Sequence, residues 1–526
     1  VGLVLLIAAG MLLCQLDDSY LWQDEAETAL VARHLLAFGL PLSTDGRAWV
    51  QQAGESFVEF TSDYVWIYHS WLQYVLVAAS FALLGPTTLA ARLPFVLVGL
   101  ATLVLFYDFV VRWLDDRRVA RVATVLLLFC VPFLLLLRQS RYYALAAFFT
   151  LLTVDGYRRL SSERSWTLPY FVLAAVLLYH SHYGAFFPTL AALGIHWLFT
   201  QPQSVLRRRF VTAVALVGAQ ILPWAIFMRV LDRGQPFQLD RFLAHVGQSI
   251  LYASAWIFPL VLVLILAIAW LRRGRSEWLA LNDVQARFCR LAGLLVVTQV
   301  VMLSATAAFD WVYFRYLVNL IPLLLAMLAI VVVLVVQRWP LLGYALLILV
   351  LTSSVIGMLP YGLPGIKSLD TSTLWPGSAA FQSLQDVWVK AGRFRSDPWM
   401  YAQELSNDYQ GPNEGLIAYL SAHAHAGQTV AVNYEDLPMM FYTDLRVLGG
   451  LGLHGLNART RPDWVVDRQH GPYRDLLADV LSDGSYERIE IPYADIRWEN
   501  RPQPGEHHYL TVQGEAPVVL YRRLGE

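Results

Sequence analysis

The sequence predicts an all-α polytopic membrane domain of about eleven transmembrane helices, followed by a small external α/β or α+β domain. Three observations carry this. Apolar runs of roughly 20 residues, each long enough to cross ~30 Å of hydrocarbon, recur through residues 1–360. Arginine clusters occupy alternate connections between those runs, as short cytoplasmic loops do. After Pro360 the apolar runs stop and a mixed, turn-rich sequence begins. Composition agrees: the 526 residues are 57% hydrophobic with mean hydropathy +0.48, where soluble chains hold about 45–50% apolar residues. A net charge of −1 gives no footprint for nucleic acid.

Spans are expected near 1–16, 87–110, 119–137, 142–157, 168–184, 185–200, 210–230, 246–271, 289–308, 316–336 and 341–359. Lysine occurs only at 367 and 390, so arginine supplies the topological signal. The clusters are Arg112/Arg117/Arg118/Arg121, Arg158/Arg159/Arg164, Arg207/Arg208/Arg209, Arg272/Arg273/Arg275/Arg287/Arg290 and Arg338. Placing them inside puts the loop 17–86 and the tail 361–526 outside. That parity holds only if 64–84 does not span, so this segment is read as an interfacial or re-entrant helix. Its Trp66, Tyr68, His69, Trp71 and Tyr74 suit an interface. The first span is short and has no basic flank before it. Without a small-residue cleavage pattern ahead of Asp17, it is not read as a cleaved signal peptide.

Cys14, Cys130 and Cys289 fall in or beside spans and read as small packing residues. In the tail, a helix is expected over 412–426 and another near 473–482. Strands are expected at 429–434, 445–450, 463–468 and 517–523. The tail shows no glycine-rich phosphate loop, nucleophile elbow or metal spacing. His423/His425 and His507/His508 read as exposed surface residues rather than ligands.

Chemistry gathers in the first external loop. Asp24, Glu25 and Glu27 open a helical stretch running to Phe38 and closed by Gly39 and Pro41. Two readings stand side by side. Asp24 with Glu27 forms a capping-box pattern that needs no catalysis. Alternatively, a carboxylate at the positive end of a helix stays ionised and accepts a proton. Glu55, Glu59 and Asp63 precede the aromatic segment, and Glu59 and Asp63 are the two expected to face a cleft. Arg92, Arg138, Arg141, Arg229, Arg233, Arg241 and Arg315 lie on the outer side, where positive-inside bias disfavours them. Arg138, Arg141 and Arg315 stand beside span ends and are candidate phosphate ligands, with snorkelling to lipid headgroups as the alternative. His180 and His182 lie at an outer turn, with an interfacial role favoured over metal or sugar binding.

LWQDEAETALVARHLLAFGLP resembles the first external loop of the GT-C glycosyltransferases, especially the glycosyltransferase family 39-like enzymes and the lipid A aminoarabinose transferases. WLQYVLVAASFALLGPTTLAARLPFVLVGLATL, RQSRYYAL and FRYLVNLIP resemble further segments of that family. The resemblance implies a multi-pass protein of the bacterial inner (plasma) membrane, with its C-terminal domain on the periplasmic side. It implies transfer of a sugar from a polyprenyl-phosphate donor to an acceptor hydroxyl on a glycan, lipid or protein, with inversion.

Asp24 and Glu25 would then be catalytic, with Asp24 the base. Arg138, Arg141 and Arg315 would hold the donor phosphate, and Glu59, Asp63, His69, Tyr142 and His182 would line the cleft. A divalent cation is an open possibility; no other cofactor is implied. Relatives often carry a lysine before the interfacial helix, whereas here the stretch reads EFTSDYVWIYHSW. Arginine must supply that charge. Competing readings are a transporter or flippase of lipid-linked sugars, and a non-catalytic envelope subunit with the same fold. Acids clustered in an outer loop rather than at mid-span argue against transport.

Overall fold

A computed structural model describes residues 2–524 except 48, 53–57, 163, 201–203, 234, 260–261, 264–266, 269–270, 272–279, 307–308, 363–367 and 483–484. Glu55, Arg272, Arg273, Arg275 and Lys367, and part of the span expected over 246–271, lie outside the described residues.

A helix lies at each expected span. In order these are α1 (Gly2–Leu13), then α2 (Gln23–Phe38) and α3 (Leu72–Leu84) in the first loop, α4 (Thr88–Leu114), α5 (Arg117–Leu128), α6 (Val131–Leu137), α7 (Tyr143–Arg159), α8 (Thr167–Ser181), α9 (Tyr183–Thr200), α10 (Ser204–Phe227) and α11 (Leu239–Trp256). Helices Asp283–Thr306, Ile321–Arg338, Pro340–Thr352 and Val355–Gly362 complete the helical domain. By length and composition, 4 helices among the described residues can cross a membrane: Thr88–Leu114, Arg207–Phe227, Asp283–Thr306 and Phe314–Arg338. The total is up to 6 if two bent pairs count as one span each. The expected eleven therefore exceeds what helix length alone supports. The 12 residues of α1 rise only about 18 Å. The segment Phe314–Arg338 is the centre of the domain, 89% of its apolar window being buried.

The bent pairs break at Phe129–Cys130, by 67°, and at Ser353–Ser354, by 84°. Pro132 at the start of α6 explains the first break, since proline removes a backbone donor and fixes φ. Between the two breaks lies a crevice with about 620 Å³ of open space, lined by Cys130, Trp256, Leu325, Ile356 and Arg395 among others.

Two local expectations change. The capping box is not formed: α2 starts at Gln23 after Trp22, which makes no side-chain cap, and Asp24 already sits inside the first turn. The C-terminal stop is as expected, with Gly39 in the left-handed region (φ 74) donating to the Leu35 carbonyl. The aromatic segment 64–84 is helical only from Leu72. Upstream, backbone bridges Leu42–Val65 and Phe60–Trp66 hold residues 64–71 as a folded loop, with Trp66 buried and Tyr68, His69 and Trp71 partly buried.

In the tail a five-stranded sheet has the order β2-β1-β3-β5-β4. Strands β1 (Thr429–Val432), β2 (Arg446–Gly449) and β3 (Trp464–Asp467) are parallel, while β5 (Pro517–Arg523) runs antiparallel to both its neighbours, β3 and β4 (Tyr486–Ala494). Strand β4 and the helices Ala379–Ala391, Asp397–Glu404 and Asp436–Tyr442 were not expected from the sequence. Helix Asp436–Tyr442 packs on α2. The Leu21 amide donates to the Tyr442 hydroxyl at 2.9 Å, and Tyr20 stacks on the Tyr442 ring. His423 and His425 are exposed as expected, but His507 is not: it pairs with Glu404 at 2.8 Å and its side chain is 2% exposed. His508 is partly buried beside it.

Candidate active site

The start of α2 is bolted down by Glu25. Arg92, from α4, takes its carboxylate with both Nε (2.9 Å) and Nη2 (2.7 Å), and the Ser140 amide donates to it at 2.8 Å. The remaining Arg92 donors close the turn before α2 through the carbonyls of Leu16, Ser19 and Tyr20. Glu25 is fully buried and its oxygens are committed to these partners. The expectation of a catalytic Glu25 meets surroundings built for anchoring, because freeing it would strand a buried guanidinium.

Neighbouring helical residues point about 100° apart, so anchoring Glu25 aims Asp24 elsewhere. Asp24 faces Arg315 Nη2 at 3.2 Å and Arg141 Nη2 at 3.8 Å. Glu27 is three residues on and shares that face. It accepts from the Tyr74 hydroxyl at 2.6 Å and from Gln52 Nε2 at 3.1 Å, and pairs with Arg141 Nη1 at 2.9 Å. Arg141 thus bridges two carboxylates on one helix face. His69 Nε2 lies 3.0 Å from Arg141 and 3.5 Å from Glu27.

Burial raises the Glu27 pKa against the opposing pull of Arg141. Burial, reinforced by Arg141 and Arg233, drives His69 well below its usual value. The neutral His69 imidazole is the form that can accept from Arg141. His182 stacks on Tyr142, centroids 4.1 Å apart, and Arg141 lies over the Tyr142 ring. Arg315 lies over Tyr313 at 3.9 Å and near Trp22 and Tyr316. A carboxylate between two guanidiniums, walled by aromatic rings, sets a proton acceptor beside cations that can hold an anion.

The structure therefore brings Asp24, His69, Arg141, Tyr142, His182 and Arg315 together. It places three other candidates apart. Arg138 donates to the carbonyls of Met11 and Gln15 and to the Tyr401 hydroxyl, which ties α1 to the tail instead of facing Asp24. Asp63 is exposed in a turn. Glu59 is buried and accepts from the Gln52 amide at 2.8 Å, and Gln52 links it to Glu27 of the cluster. Among the described residues no three His, Cys, Asp or Glu side chains converge as a metal site. The two arginines beside Asp24 are a poor setting for a divalent cation at that carboxylate.

Sequence reasoning missed the Glu27–Arg141 pair and the Arg92–Glu25 anchor. A signal existed for the second: Arg92 sits inside an apolar stretch, where an arginine requires a partner.

No family model and no curated protein matches this chain. Among solved structures it is similar to ArnT from Cupriavidus metallidurans bound to undecaprenyl phosphate, with TM-score 0.54 and 13% identity over 99% of this chain and 96% of that one. The same protein in the apo state gives TM-score 0.54 and 14% identity over 99% of this chain and 98% of that one. At that identity the likeness shows the fold: this chain has the GT-C fold.

Proposed function

We propose that this protein is an inverting membrane glycosyltransferase that moves a sugar from a polyprenyl-phosphate donor to an acceptor hydroxyl at the outer face of the membrane. The observation that carries the reading is Asp24, set against Arg315 and Arg141 at the head of a helix in the first loop. Two guanidiniums and the helix N-terminus gather positive charge around this carboxylate. The GT-C fold shared with ArnT, a protein solved with undecaprenyl phosphate bound, supports a lipid-phosphate donor.

In this reaction Asp24 takes the acceptor's hydroxyl proton as its oxygen attacks the anomeric carbon. The bond from that carbon to the phosphate oxygen breaks, and its electron pair leaves with the phosphate. Polyprenyl phosphate departs as a stable anion, so no general acid is needed. Arg315 offsets the charge that develops on it. Glu27 holds Arg141 in place and Glu25 holds the helix. Arg138, its donors already engaged, is removed from the phosphate site in this proposal.

The test offers purified protein a labelled lipid-linked sugar across a panel of acceptors. Transfer supports the reading. Translocation of the donor across a vesicle without transfer, or neither, overturns it.

A further inference from the structure

Arg501 lies in the tail, in a buried loop that crosses from the sheet back to the helical domain. It is 5% exposed, yet its Nε is buried without a hydrogen-bond acceptor. Among the described residues its one carboxylate contact is Glu506 at 3.9 Å, and Lys390 holds the other oxygen of Glu506 at 2.5 Å. The Trp498 ring stacks on the guanidinium at 4.0 Å, but a ring does not replace an anion, and a buried cation this poorly paired with carboxylate is costly unless a partner arrives. Its buried neighbours are paired closely: Arg92 with Glu25 and three carbonyls, Arg138 with two carbonyls and a hydroxyl, and Arg141, whose Nε is also without an acceptor, with Glu27 at 2.9 Å and Thr28.

The position of Arg501 says what partner is missing. Its guanidinium lies over the Tyr313 ring at 4.7 Å, and that same ring carries Arg315 at 3.9 Å. Arg315 in turn reaches Asp24 at 3.2 Å. Tyr434, also from the tail, feels the charges of both Asp24 and Arg501. The loop is fastened above this point. Gln503 Oε1 accepts from the Phe314 amide at 3.3 Å and its Nε2 donates to the Tyr252 hydroxyl at 2.6 Å.

We propose that Arg501, with Arg315, forms a two-arginine clamp for the phosphate of a lipid-linked donor, so that the external domain supplies part of the donor site. Two guanidiniums about one aromatic ring fit a group with several anionic oxygens, since each presents a planar fork of donors. This rests on the lipid-phosphate donor proposed above.

The experiment measures binding of undecaprenyl phosphate and of undecaprenol to the full-length protein in detergent, for wild type, Arg501→Met and Arg501→Lys, with thermal unfolding of each ligand-free protein alongside. The expected result is preference of the wild type for the phosphate, weakened about tenfold or more by Arg501→Met and partly restored by Arg501→Lys. Undecaprenol binding is unchanged. Ligand-free Arg501→Met unfolds at the same or a higher temperature, because an ill-paired buried charge has gone. Unaltered phosphate affinity in Arg501→Met, with wild-type preference intact, overturns the clamp and leaves the donor assignment standing. If Arg501→Met is too unstable to assay, Arg501→Lys decides: wild-type affinity there overturns the clamp. A wild type that binds both lipids equally overturns the donor assignment and the clamp with it.

Discussion

At the scale of single residues, Asp24 separates a base from a helix cap. Asn caps a helix about as well as Asp, so a capping role predicts that Asp24→Asn stays active. Proton abstraction predicts a rate loss on the order of 10²–10⁴ with normal membrane insertion. A transfer assay on the purified variant measures which holds, and full activity sinks the base assignment. Asp24 was legible because two adjacent acids beside a membrane require a reason. Glu27 was not: in a linear reading it completes a capping box, and only the fold brings Arg141, Tyr74 and His69 around it. Asp63 erred in the other direction. Its neighbours suggested a cleft, but the turn at 62–63 points it to solvent.

At the scale of elements, α2 depends on the Arg92–Glu25 pair that fixes its start. Arg92→Met leaves Glu25 buried without its counter-charge and is expected to destabilise the protein by about 3–5 kcal/mol. Arg92→Met combined with Glu25→Gln should recover a large part of that loss. Equal unfolding temperatures for wild type and Arg92→Met would refute the anchor. A second junction sits at the far side of α2, where Gln23 Nε2 donates to Asp436 Oδ1 at 2.8 Å. Burial pushes the Asp436 carboxyl up to about 7, with the Gln23 bond opposing and Glu435 adding to the rise. The folded state then holds a proton between about pH 4 and 7 that the unfolded chain has lost. Stability accordingly falls as pH rises through that window and levels off above it. Asp436→Asn should flatten the slope, measured as unfolding temperature from pH 4.5 to 7.5; an unchanged slope assigns the titration elsewhere.

Helices were readable from apolar runs, and four of the five strands from short β-branched runs. Strand β4 was not, because an edge strand carrying Glu487, Arg488, Glu490 and Pro492 has little apolar alternation to show. The aromatic stretch 64–71 read as helix because its composition suits an interface, while backbone bridges to residues 42 and 60 are non-local.

At the scale of the whole molecule, the expected topology is tested by single cysteines in a cysteine-free background. A cysteine at Asp45 should react with an impermeant thiol reagent from outside, and one at Arg208 should not. Outside labelling at 208 overturns the parity and with it the interfacial role of 64–84. Arginine counting set that parity, but it was blind to how short several helices are. It was equally blind to the tail folding back onto the start of α2 through Tyr442 and Asp436, since those contacts join residues some 400 positions apart.

The crowding around Asp24 has a consequence for kinetics. Asp24 and Arg315 side chains are only 11% and 12% exposed, hemmed in by rings from the helical domain and by the tail loop that carries Arg501. A sugar reaches that carboxylate only after some of this cover swings aside. For the transferase proposed above, this cover predicts a turnover paced by a diffusive opening and not by bond cleavage. Raising solvent viscosity with sucrose should slow steady-state turnover in proportion, while a heavier isotope at the anomeric carbon should leave it unchanged.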